Sequence, residues 1–189
     1  MIRLAPKHQL PVGIALVALM AMTRGHHFAG VDLPSASWAV FFLAGVLLRP
    51  KWVFPALFLE ATLLDLAAIQ WAGVSDWCMS PAYWMLIPAY GSLWLGGKLY
   101  ARWHRDQPGS FVTLGLCAMV AAFVCYLFSG GGFLYFSGRY PDPSLALLIE
   151  RIGTYYPRYL GNLALYVGTA AVIFTGLRAL HAQREGSRA

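Results

Sequence analysis

The stretch WVFPALFLEATLLDLAAIQWA, Trp52 to Ala72, decides the fold class. Within it only Glu60 and Asp65 carry charge. A helix that crosses a bilayer needs roughly 20 mainly apolar residues, and this run supplies them. Moving outward from it, the same texture recurs along the chain. Of the 189 residues, 59% are hydrophobic and only 12% charged, and mean hydropathy is +0.58. A soluble domain usually carries about 25% charged residues, so a water-exposed fold would leave far too much apolar surface wet. Lipid is the solvent that tolerates this composition.

Six apolar runs are expected to span. Span one covers Leu10 to Thr23 and span two Ser35 to Leu48. Arg49, Pro50 and Lys51 separate span two from span three, which runs from Trp52 to Ala72. A polar patch, Ser75 to Ser80, leads to span four, Pro81 to Tyr100. A charged loop with Arg102, His104, Arg105 and Asp106 is closed by Pro108-Gly109. Span five covers Ser110 to Phe128. A long connection, Ser129 to Tyr156, is expected to hold Gly130-Gly131-Gly132 as loop and short helical pieces between Ser144 and Gly153. Span six runs from Pro157 to Leu180, before a basic tail. Pro55 and Pro88 lie inside spans three and four, where such breaks often border a cavity. The expectation is one integral membrane domain over residues 1–189, all-α, with six transmembrane helices. The first run, with Arg3 and Lys7 before it, could mimic a signal peptide. It reads better as a retained helix.

Charge sets the orientation. With the N-terminus inside, the inner segments hold Arg3, Lys7, Arg49, Lys51, Lys98, Arg102, Arg105, Arg178, Arg184 and Arg188, and the outer ones Arg24, Arg139, Arg151 and Arg158. Basic residues mark cytoplasmic loops, so both termini are expected in the cytoplasm. The net charge of +6 then orients the chain and gives no reason to invoke nucleic acid. Three cysteines without a C-x-x-C pair argue against a disulfide framework or a structural zinc site. No G-x-x-x-x-G-K-[ST] motif is present, so the chain does not bind a nucleotide by a P-loop.

Some polar groups are not explained by topology. Asp65 sits inside span three, where a carboxylate costs roughly 2.5–3.5 kcal/mol to insert. It is either a hydrogen-bonded clamp between helices or a ligand contact at an outward cavity. Glu60, five residues earlier, faces another side. His26 and His27 follow span one on the outer side, as solvated loop residues or as metal ligands. Cys78 lies in Asp76-Trp77-Cys78-Met79-Ser80, just before span four, and a thiolate is the reactive and metal-binding form of cysteine. Cys117 and Cys125, inside span five, read as packing residues. Tyr83 and Trp84 open span four, as belt aromatics or as part of a site. Arg139 and Arg151 lie in the long outer connection, Arg151 close to Tyr155 and Tyr156. Thus His26, Asp65, Cys78, Tyr83 and Arg151 come from five stretches and map to one end of the bundle.

That ordered constellation, with the element DWCMSPAYW from Asp76 to Trp84, resembles the BtuM family of small bacterial cobalamin transporters. The family is related to the S-components of energy-coupling-factor (ECF) transporters, and the resemblance covers essentially the whole chain. It implies an S-component-like bundle of six helices in the bacterial inner membrane. It implies cobalamin as the transported, cobalt-containing ligand, held in a periplasm-facing cavity. Cys78 would be the axial cobalt ligand, and His26, Asp65, Tyr83 and Arg151 would line the corrinoid site. A thiolate suits such a metal, and its donation would assist decyanation of cyanocobalamin, giving Cys78 a catalytic role. Many S-components dock on an ECF coupling module through an Ala-x-x-x-Ala motif on the first helix. Here Ala15, Ala18 and Ala21 are spaced by three, so that partnership does not follow from the motif. Three other readings stay open. One is an S-component for another vitamin. Another is a membrane enzyme with Cys78 as nucleophile and His26 or His27 as base. The third is a structural membrane subunit with no ligand, against which the cost of Asp65 and the one-sided polar cluster argue.

Overall fold

The computed structural model describes residues 6–24, 33–107 and 109–186. Among them there are helices and turns and no strand. The long helices are α1 (Pro6–Arg24), α2 (Ser37–Leu47), α3 (Val53–Trp71), α4 (Leu86–Trp103) and α5 (Gly109–Tyr126). A π turn, Leu127–Gly131, carries α5 into the short α6 (Gly132–Phe136), and α7 (Leu145–Gly186) closes the chain. Two 3-10 turns, Asp76–Cys78 and Pro81–Met85, sit between α3 and α4. Three helical stretches are long and apolar enough to cross a membrane: Val53–Trp71, Gly109–Phe136 and Leu145–Leu180. Helix α2 is apolar but has only 11 residues. Helices α1 and α4 are long enough but less apolar over such a length, α1 with Lys7, His8 and Gln9 and α4 with Lys98, Arg102 and three glycines.

Helix α2 forms the centre. Every residue from Ser37 to Val46 is buried, with α1, α3, α4 and α7 packed around it and α5 behind α4. Its contact with α4 is close because two glycines meet there. A Cβ on Gly97 would fall on the backbone oxygen of Phe42, and one on Gly45 on that of Trp94. Small residues allow helix backbones to approach in this way, and the gain is van der Waals packing. Around this contact Phe41 stacks on Tyr90 at 4.4 Å, and Phe54 and Trp94 lie 5.6 Å apart. On the opposite side Trp38 stacks on Tyr159 of α7 at 5.0 Å.

Three expectations are corrected. Gly130-Gly131-Gly132 is not a loop: it lies in the π turn and the start of α6, so the helical stretch runs on for 28 residues. Packing supplies the reason. Gly130 lies against the Tyr126 ring and Gly132 against Met85, where a Cβ would collide. The region from Ser144 to Gly153 is not a set of short pieces, and the last helix does not begin at Pro157. Helix α7 starts at Leu145 and runs for 42 residues straight through Pro157, tolerating the missing N–H that would have bonded back to Gly153. Pro55 and Pro88 do not break helices, because each falls in the first turn of its helix, where no backbone donor is lost, although Pro55 does border a cavity as expected. Gly73, with φ of 65°, ends α3, and the N–H of Val74 donates back to the carbonyl of Ala68 at 3.3 Å.

At the end away from Cys78, Tyr100 and Ser110 both meet Nδ1 of His104 at 2.8 Å. Asp106, in the α4–α5 loop, bonds Arg178 of α7 and His104 Nε2. This ties the loop to the last helix.

Candidate functional site

Asp65 is the centre of the other end. Helix α3 presents it towards α1 and α4, and its two oxygens receive a bidentate pair from Arg24, Nε to Oδ1 at 2.7 Å and Nη2 to Oδ2 at 2.6 Å. The Tyr83 hydroxyl donates to Oδ2 at 3.0 Å. The remaining guanidinium nitrogen of Arg24 donates to Ser37 and to Tyr90, each at 3.0 Å. One arginine therefore binds α1 to α2, α3 and α4. The side chains of Arg24 and Asp65 are 15% and 26% exposed, so this is a largely desolvated pair in which both carboxylate oxygens and all three guanidinium nitrogens are engaged. Such geometry offsets the cost of removing both charges from water. Next to it Thr23 accepts from the N–H of Ala36 at 3.1 Å, fixing the approach to α2.

A cavity of about 880 Å³ opens beside this junction, between α3 and the Pro81–Met85 turn. Its α3 wall is Phe54, Phe58 and Thr62, and Met79, Ser80 and Tyr83 face it. The lining is predominantly apolar. Ser80 is an exception, and its Oγ is buried without a hydrogen-bond partner. Glu60, whose two oxygens are likewise buried and unpartnered, lies deeper on α3.

The Asp76–Cys78 turn joins this wall directly through Met79 and Ser80. Ser75 caps it, its hydroxyl accepting from the N–H of Trp77 at 3.2 Å. Arg139 lies over the Trp77 ring at 4.8 Å, which fastens the turn to the loop after α6. One residue on, Tyr140 packs under the Arg151 guanidinium at 5.1 Å, with Tyr155 on another side at 5.0 Å. The Arg151 carbonyl accepts from Tyr126 at 2.8 Å, while its Nε is buried without a partner.

Of the residues read from the sequence, Asp65 and Tyr83 are in direct contact. Arg151 belongs to the same end through the Tyr140 loop but touches neither of them in these bonds. His26 and His27 lie outside the described residues, and so does the side chain of Cys78. The clamp reading of Asp65 is the one its bonds display. Arg24, Tyr90 and Ser37 were missed. Arg24 counted only as an outer charge, although an arginine at the depth of a buried carboxylate is the signal that could have found it. Among the described residues no three His, Cys, Asp or Glu side chains come together in a way that could hold a metal ion. Cys117 and Cys125 are buried free thiols, as packing residues should be. The chain matches no protein-family model, and a search of curated proteins finds no significant match.

Proposed function

We propose that this chain carries cobalamin across the bacterial inner membrane, as its resemblance to the BtuM family implies. One observation supports the reading above the others: the Asp76–Cys78 turn, the Tyr83–Asp65–Arg24 junction and the 880 Å³ cavity adjoin one another at a single end. A corrinoid brings its own four equatorial nitrogens to cobalt, so the protein needs to supply one axial donor and not a cluster. Cys78 is that donor, taking the position of the nucleotide base. Asp65 has both oxygens engaged and acts as a positioning residue that holds Tyr83 at the cavity wall. Ser80 and the free Nε of Arg151 are donors for the amide groups around the ring, and His26 completes the site.

In this reading α1 to α5 and α7 all cross the bilayer, in an S-component-like arrangement with both termini in the cytoplasm. Helix α2 spans only about 16 Å, yet it is encased by protein, so its ends need not meet lipid. Sulfur donation to one face of cobalt weakens the bond on the other. Cyanide then leaves with its bonding electron pair, cobalt stays trivalent, and no oxidant or reductant is consumed. An ECF coupling module is not required by any feature of α1.

Uptake of radiolabelled cyanocobalamin by a cobalamin-requiring strain tests the proposal. Expression of the chain is expected to restore uptake and growth, and Cys78→Ala to lose both at equal abundance in the membrane. Wild-type protein that reaches the membrane and supports no uptake contradicts it.

A further inference from the structure

Glu60 is the eighth residue of the 19-residue α3, near mid-span. It lies about 7.5 Å along the helix from Asp65 and about 140° around it. Both of its oxygens are buried and neither has a hydrogen-bond partner. Among the described residues, the ionisable groups on the elements packed against it are few. Helix α1 supplies Arg24, whose charge acts on Glu60. Helix α2 has no ionisable side chain. Helix α4 supplies Tyr90, already bonded to Arg24, and the turn before it supplies Tyr83, bonded to Asp65. Lys98 of α4 packs over Trp94, two turns further along. Asp65 holds the Arg24 guanidinium with both oxygens, and neither Glu60 oxygen has a hydrogen-bond partner among the described residues. An ionised carboxylate left bare in hydrocarbon is costly, and intramembrane acids of this kind mark proton pathways in pumps and transporters.

We propose that Glu60 carries a proton and that its loading and release couple cobalamin movement to the proton gradient. The inference rests on the uptake reading and supplies the energy source that the chain, lacking a nucleotide motif, does not otherwise contain. With Arg24 on Asp65, Glu60 is protonated and the three groups together are neutral. Glu60 takes its proton from the outer side as the ligand binds and gives it up to the inner side as the ligand leaves, while Arg24 stays on Asp65. Each full cycle then moves one proton with the ligand.

Purified protein reconstituted in phosphatidylcholine vesicles, with cyanocobalamin outside and an imposed pH gradient, tests the coupling. One proton per ligand predicts about tenfold accumulation per unit of gradient, since one pH unit equals 1.36 kcal/mol. Glu60→Gln is expected to bind cobalamin as wild type does and to lose gradient-driven accumulation. Wild-type uptake that ignores the gradient overturns the coupling and leaves the uptake reading standing. Failure of wild type to admit cobalamin at all overturns the uptake reading. Infrared spectroscopy tests the proton separately: a protonated carboxylic acid band at neutral pH, absent in Glu60→Gln, is expected. Identical spectra would show that Glu60 holds no proton.

Discussion

Asp65 accepts from three donors on two other helical elements, and removing it strands the Arg24 guanidinium in a largely dry site. Breaking a buried pair from one side costs about 3–5 kcal/mol, whereas replacing both partners by apolar groups is often neutral. Asp65→Ala is therefore expected to lower the thermal unfolding midpoint in detergent sharply. The double variant Arg24→Met/Asp65→Leu is expected to recover most of the loss. Equal midpoints for wild type and Asp65→Ala would contradict the clamp. At this scale the sequence was half legible. A carboxylate in an apolar run announces itself by its cost, and Tyr83 stood out in the element around Cys78. Its partner did not stand out, because Arg24 is 41 residues away and the pairing depends on how α1 lies against α3. No local pattern fixes that.

Elements were legible where composition alone decides and illegible where packing does. The apolar run after Trp52 became a helix within a residue of its expected bounds. The glycine triplet and Pro157 misled because both are breakers in isolation. In the folded chain Tyr126 and Met85 occupy the space that side chains at Gly130 and Gly132 would need. A helix of 42 residues has enough remaining bonds to absorb one missing donor at Pro157. The α4–α5 loop gives a pH test at this scale. The bond from Arg178, with His104 in support, holds the Asp106 carboxyl below its ordinary range. A lowered folded-state value means the tether stabilises above the ordinary carboxylate pKa, and that the contribution is lost as pH falls through the lowered one. Asp106 is exposed, so the effect is small. The midpoint difference between wild type and Asp106→Asn is expected to be full near neutral pH and to vanish in strong acid. A difference that persists unchanged into strong acid would contradict the tether.

Across the whole molecule, the helices sort polar chemistry to two ends. One end carries His104, Asp106 and Arg178, whose bonds join loop to helix. The other carries the Asp65 junction, whose Tyr83 lines an apolar cavity, the Asp76–Cys78 turn that leads into the cavity wall, and the Arg139–Tyr140 loop that packs on Trp77 and Arg151. The one-sidedness was visible in the sequence because alternating spans assign each loop to a side. A cavity at that end was expected from Pro55 and Asp65, but its size and walls were not, since they depend on how far α3 and the Pro81–Met85 turn stand apart, a distance that hydropathy does not encode. The visible spectrum of protein purified from cells given cyanocobalamin, beside Cys78→Ala, tests the cobalamin reading most directly. A bound corrinoid with a shifted, base-off spectrum that reverts or disappears in the variant is predicted. A folded, colourless protein without cobalt would contradict it.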